Sequence, residues 1–128
     1  MLYSILIYVP EDEVAALTAE QDEDHVSRHL QIHEQLSARG KLGPVVRLMP
    51  TRTAKQVRTA GKQVVVDGPF AETKEQLLGF YVVDCDSYEE AEALARSLPS
   101  VSTIFEIRPV RLFFPGNGFK EVRQALPD

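Results

Sequence analysis

An α+β fold of the ferredoxin-like kind follows from three features of the chain. Apolar strand stretches and amphipathic helical stretches alternate in the order strand, helix, strand, strand, helix, strand, with a hairpin inserted in the middle. Each helical stretch carries its own start and stop signals. Several strand stretches are apolar at both parities, as in Phe80-Tyr81-Val82-Val83, so helices on one face leave the other in need of cover. Pairing with a second copy supplies it, and two-fold dimers are the commonest such solution.

Residues 2–9 are dense in Leu, Ile, Val and Tyr and stop at Pro10, as a mostly buried first strand does. Thr18 followed by Gln21 makes a capping box. Val26, Leu30, His33 and Leu36 then recur at spacings of three and four until Gly40, which predicts a helix of about five turns. Leu42 to Leu48, closed by Pro50, is a strand. Ala54–Thr59 and Gln63–Val66 flank the turn segment Thr59-Ala60-Gly61-Lys62 and form a hairpin arm. Leu77 to Val83 is a strong strand. Ser87 and Glu90 form a second capping box, and Ala91, Leu94, Ala95 and Leu98 line one face of a helix that ends at Pro99. Thr103 to Arg108 alternates as a strand, limited by Pro109, and Val110–Phe114 follows. The tail Phe113 to Phe119 adds aromatics that either brace a partner subunit or fold back on their own core.

The 128 residues make one domain, with the hairpin insertion at 51–66 and an extended tail at 111–128. A hydrophobic content of 44% with 26% charged residues is that of a soluble globular protein, and no apolar run approaches the roughly 20 residues that span a bilayer. The opening MLYSILIYVP reads as a strand and not a signal peptide, so a cytoplasmic location and no membrane partner are expected. A net charge of −5 disfavours a general polyanion surface, and nucleic acid is not an expected partner. The single Cys85 can form no intrachain disulfide and reads as a small buried hydrophobe.

Chemistry concentrates in two places. Asp67-Gly68-Pro69-Phe70-Ala71-Glu72-Thr73-Lys74-Glu75 packs turn residues and ionisable groups between two strands. Asp67 is either a turn-holding carboxylate or a site residue, Phe70 a core plug or a ligand platform, and Glu72 and Lys74 solvated charges or the rim of a cleft. On the first helix His25, His29 and His33 recur every four residues, so adjacent pairs share a face. An adjacent pair at this spacing can chelate zinc, but no further ligand to complete such a pair is specified and the glutamate of a metalloprotease helix is missing, so no metal is assigned. A histidine near a carboxylate can move protons near neutral pH. Phosphate-binding loops, dinucleotide fingerprints and serine elbows are missing from the sequence.

The run Asp67 to Phe70, followed by Glu72 to Glu75 and Gly79-Phe80-Tyr81, resembles the hallmark of the YCII-related proteins, and within them the DGPF-domain group. The resemblance extends from Leu2–Tyr8 to Glu106-Ile107-Arg108-Pro109-Val110. It implies a dimeric α/β-barrel of ferredoxin-like subunits, and hence a homodimer. In related proteins a histidine and an aspartate are the proposed active-site pair; the histidine falls on His29 and the carboxylate role on Asp67. Phe70, Glu72 and Lys74 match positions expected to bind a small organic substrate. Most members have no assigned reaction; some relatives and members of the wider dimeric barrel group act on small, often aromatic or cyclic compounds, and some DGPF proteins are encoded beside, or fused to, extracytoplasmic-function sigma factors. Two positions depart from the family pattern: Gly40-Lys41-Leu42-Gly43-Pro44 lacks a longer glycine-rich approach, and His33 replaces an apolar or small residue.

The leading expectation is a site needing no cofactor, in which His29 acts as acid or base, Asp67 orients it and Lys74 attracts an anionic group. The alternative is a non-catalytic ligand-sensing or protein-interaction module, with a possible link to sigma-factor regulation.

Overall fold

A computed structural model describes residues 1–68 and 74–125. Strand β1 (Leu2–Val9) leads through a short helix α1 (Glu11–Ala15) to the long helix α2 (Ala19–Ala38) and strand β2 (Leu42–Arg47). The hairpin of β3 (Lys55–Arg58) and β4 (Val64–Asp67) comes next, then β5 (Gln76–Asp84), helix α3 (Tyr88–Ser97) and β6 (Ile104–Pro109). The four long strands form an antiparallel sheet in the order β2-β5-β1-β6, and β3 and β4 pair as a separate ribbon. Setting α1 and the ribbon aside leaves the β-α-β-β-α-β order expected from sequence.

The caps of α2 act as read. Thr18 accepts from the Gln21 amide while the Gln21 side chain accepts from the Thr18 amide. At the other end Gly40, at φ +67, donates to Ser37 and Lys41 donates to Leu36, the paired bonds of a Schellman stop. The box at α3 is only half formed. Ser87 accepts from the Glu90 amide, but the Glu90 carboxylate accepts instead from the Asp86 amide and the Lys41 ammonium, the latter at 2.6 Å. A cation across the gap competes better for that carboxylate than a neutral amide does. Helix α1 was not read from sequence, and this one-turn element is tied down by side chains. The Glu11 carboxylate accepts from the Thr51 amide and hydroxyl, while its own amide donates to Gln76.

In β1 every second residue is buried and the others are half-buried. Tyr3, Ile5, Ile7 and Val9 pack with Tyr81 and Val83 of β5 against Leu36 of α2 and Ala91 and Ala95 of α3, which is the core. Leu2, Leu6 and Tyr8 alternate onto the far face, where register places Phe80 beside Leu6 and Val46 beside Phe80. That face is apolar along β1 and β5, carries Glu106 and Arg108 on β6, and is only partly covered. Residues 111–125 form neither helix nor strand, and Phe114 and Phe119 are exposed rather than folded into the core. Arg123 lies over the Phe119 ring at 4.9 Å. Among the described residues no helix is long and apolar enough to cross a membrane.

Candidate functional site

Between α2 and the β2–β5 side of the sheet lies a cavity of about 200 Å³. Its walls are mostly aliphatic, with Ile7, Val9, Val26, Leu30, Val45 and Leu78 among them. Polar groups enter from two directions: Asp22, His25, His29 and His33 from α2, and Arg47 and Tyr81 from the sheet. A cavity of about 150 Å³ lined by aliphatic side chains accepts benzene, so this one has room for a single ring with small substituents.

Four-residue spacing on α2 aims all three histidines at the cavity. Tyr81 reaches them because β5 is central, paired to β1 at Ile5 and to β2 at Val45, and because its parity turns it toward the helices. Its hydroxyl lies 2.6 Å from Nδ1 of His29 and 2.7 Å from Nε2 of His33. The His29 ring is offset-stacked on the Tyr81 ring at 5.9 Å, and His33 meets that ring edge-on at 5.3 Å. Both histidines are thereby fixed in orientation. Gly79 permits this geometry: a Cβ there would overlap the carbonyl oxygen of Val46, so a side chain would force β2 and its Arg47 away from β5.

Burial holds His29 neutral. Removal from water lowers its pKa from 6.5 to about 4, reinforced by the positive charge of neighbouring His33, His25, Arg47 and Arg28. His33 is lowered by burial alone, and burial pushes the Tyr81 hydroxyl well above its ordinary value. Arg47 stands 3.8 Å from Asp22, both half-exposed. So loose an ion pair is weak, and the guanidinium can turn to an anion in the cavity at little cost. The site can thus hold a small apolar molecule, place a neutral imidazole against it, and offer a cation at its mouth.

The expected site residues divide. His29 lies in the cavity wall. Asp67 does not: it ends β4 with its carboxylate exposed and 3.8 Å from the Lys55 ammonium on the opposite strand. Lys74 is exposed and is not among the cavity-lining residues. Phe70 and Glu72 lie outside the described residues. Within one chain the side chain hydrogen-bonded to Nδ1 of His29 is Tyr81. Three residues escaped the sequence reading: Tyr81, Arg47 and the part played by His33. The histidine spacing foreshadowed His33, but a run apolar at both parities gave no sign of which way Tyr81 points. Among the described residues no group of three or more His, Cys, Asp or Glu is placed to hold a metal.

A second polar cluster lies away from the cavity. The Lys41 ammonium joins the Glu90 carboxylate to that of Asp86 at 3.7 Å and so fastens the start of β2 to the first turn of α3. The hydrogen bond between them raises Lys41 and lowers Glu90 from their ordinary values. Cys85 is buried beside it with its thiol pushed up by burial.

A family model described as YCII-related domain matches residues 1–114, and the chain belongs to that family. It is 48% identical over 122 residues to an uncharacterised protein of Rhizobium meliloti (strain 1021), covering 91% of this chain and 97% of that one.

Proposed function

We propose that this YCII-related chain binds a small, single-ring organic acid and that His29 moves a proton to or from it without a cofactor. The observation that carries the reading is the His29 ring: neutral, held by Tyr81 through Nδ1, and set in the wall of an aliphatic cavity with Arg47 at the rim. With Nδ1 occupied, Nε2 is the atom left for a ligand. A pKa of about 4 is low for a general base in the empty site. An anion bound between Arg47 and His29 adds the opposite charge and raises it, so the substrate itself brings the ring toward the working range. Arg47 takes the anion-attracting role expected of Lys74, and Tyr81 the orienting role expected of Asp67.

Ligand-dependent stabilisation by a panel of single-ring carboxylic acids, run beside their neutral amides, tests the binding half; a ligand at a hundred times its Kd adds about 2.7 kcal/mol. The acids stabilise the wild type, and Arg47→Gln abolishes the preference over amides. Equal stabilisation by amides removes Arg47 from recognition. Binding with no chemical change in any bound compound favours the ligand-sensing module instead.

Two copies complete the fold in this reading, as a dimeric barrel of ferredoxin-like subunits. A folded monomer of 14.3 kDa exposes about 6,800 Å². This chain exposes 9718 Å², an excess of roughly 2,900 Å² per chain or about 5,800 Å² for two copies, which reaches the upper end of the area that lasting homodimers bury. The half-covered far face of the sheet and the exposed Leu112, Phe114 and Phe119 supply the apolar surface for it.

A further inference from the structure

The Tyr81 hydroxyl touches two ring nitrogens at once, and it has only one proton to donate. With both histidines neutral it donates to one ring and accepts from the other. The contacting atoms are Nδ1 of His29 and Nε2 of His33, which sit at opposite positions of the imidazole. Only two proton arrangements therefore satisfy all three groups. In the first, His29 donates Nδ1–H to Tyr81 and Tyr81 donates to Nε2 of His33, so both rings carry their proton on Nδ1. In the second, His33 donates Nε2–H to Tyr81 and Tyr81 donates to Nδ1 of His29, so both rings carry it on Nε2. The tautomer of one ring dictates that of the other.

We propose that Tyr81 is a proton bridge through which His33 resets His29 between its base and acid forms. The proposal rests on the acid–base reading of His29. In the first arrangement Nε2 of His29 is bare and faces the cavity as a base. It takes a proton from the substrate, whose bonding pair stays on the substrate. The Nδ1 proton of His29 passes to the Tyr81 oxygen, the Tyr81 proton passes to Nε2 of His33, and His33 releases its Nδ1 proton to water. The net change is one proton moved from substrate to solvent. Both rings end neutral and in the second arrangement, with His29 now holding Nε2–H as an acid. Run in reverse, the same steps deliver a proton. His33 suits the solvent end because it is the less buried of the two rings. Tyr81 is a positioning residue here, since its hydroxyl acts on the substrate's proton through the His29 ring.

The bridge can be tested without a substrate. Protein labelled with 15N at histidine, studied by long-range proton–nitrogen correlation near pH 7.5, reports which ring nitrogen carries the proton. The expected result is the same tautomer for His29 and His33, or a matched mixture, and a shift of several ppm at Nδ1 of His29 and Nε2 of His33 in Tyr81→Phe, whose folding the same spectrum verifies. Opposite tautomers in the wild type, or unchanged shifts in Tyr81→Phe, overturn the bridge. His29→Gln and His33→Gln assign the signals, and each is expected to move those of the ring that remains. Proton transfer to a substrate is read separately, so opposite tautomers sink the bridge even where His29 proves catalytic, and matched tautomers support it even where no turnover is found.

Discussion

Acidification from pH 7 to pH 5 is expected to weaken the fold through His29. Its ring titrates at 6.5 when unfolded and is lowered to about 4 in the folded chain, by burial first and by His33, His25, Arg47 and Arg28 after it. Between those values the unfolded chain binds more protons than the folded one, so stability falls as pH falls below 6.5. Linkage over that interval gives at most about 2 kcal/mol at pH 5, and screening by the water that still reaches the partly exposed ring reduces the expected loss to about 1 kcal/mol. His33, also lowered by burial, adds to the loss in the same direction. Tyr81, the remaining titratable group in contact with both rings, is neutral throughout. Glu90, held below its ordinary 4.5 by Lys41, begins to lose its stabilising charge only under that pH and stays outside the window. Urea unfolding at pH 7, 6 and 5, at one protein concentration, measures the effect in the wild type and in His29→Gln, whose amide cannot take up a proton. At a urea slope of about 2 kcal/mol/M the wild-type midpoint drops by about 0.5 M between pH 7 and 5. In His29→Gln only the smaller share due to His33 remains. Equal drops in the two proteins, or none in the wild type, would refute the argument that burial keeps His29 neutral.

Gly79→Ala drives a methyl group into the Val46 carbonyl and is expected to cost about 1–3 kcal/mol in denaturant unfolding, an unchanged midpoint showing that β2 and β5 are not in close approach there. Cys85, buried and with its thiol pushed up, should react with a thiol reagent at pH 8 only on unfolding; rapid labelling of the native chain would contradict its place in the core. Sedimentation at micromolar concentration should give twice 14.3 kDa, whereas a stable monomer would leave the excess surface of the chain without an explanation.

Local signals carried most of the fold. The capping box at Thr18 and the stop at Gly40 placed α2 to within a residue, because both depend on backbone groups a few positions apart. The hairpin and the strand around Tyr81 were legible for the same reason. Long-range competition was not: nothing local to Ser87 and Glu90 reveals that Lys41, 49 positions away, claims the carboxylate. The site shows the same division. Regular spacing picked out the histidine stripe, while Tyr81 and Arg47 depend on strand register, which aligns Tyr81 with Val45 and Gly79 with Arg47. Asp67 drew the eye as part of a polar run, but its carboxylate faces Lys55 across a hairpin rung, a partner fixed by the pairing of β3 with β4.

Whether His29 transfers a proton is most directly measured by solvent deuterium. Single-ring carbon acids that stabilise the protein are incubated with it in D2O, and loss of their exchangeable C–H signal is followed by NMR. The account predicts exchange by the wild type and a fall of about a hundredfold or more in His29→Gln, in keeping with the usual contribution of a general acid–base residue. Exchange that continues undiminished in His29→Gln would contradict it.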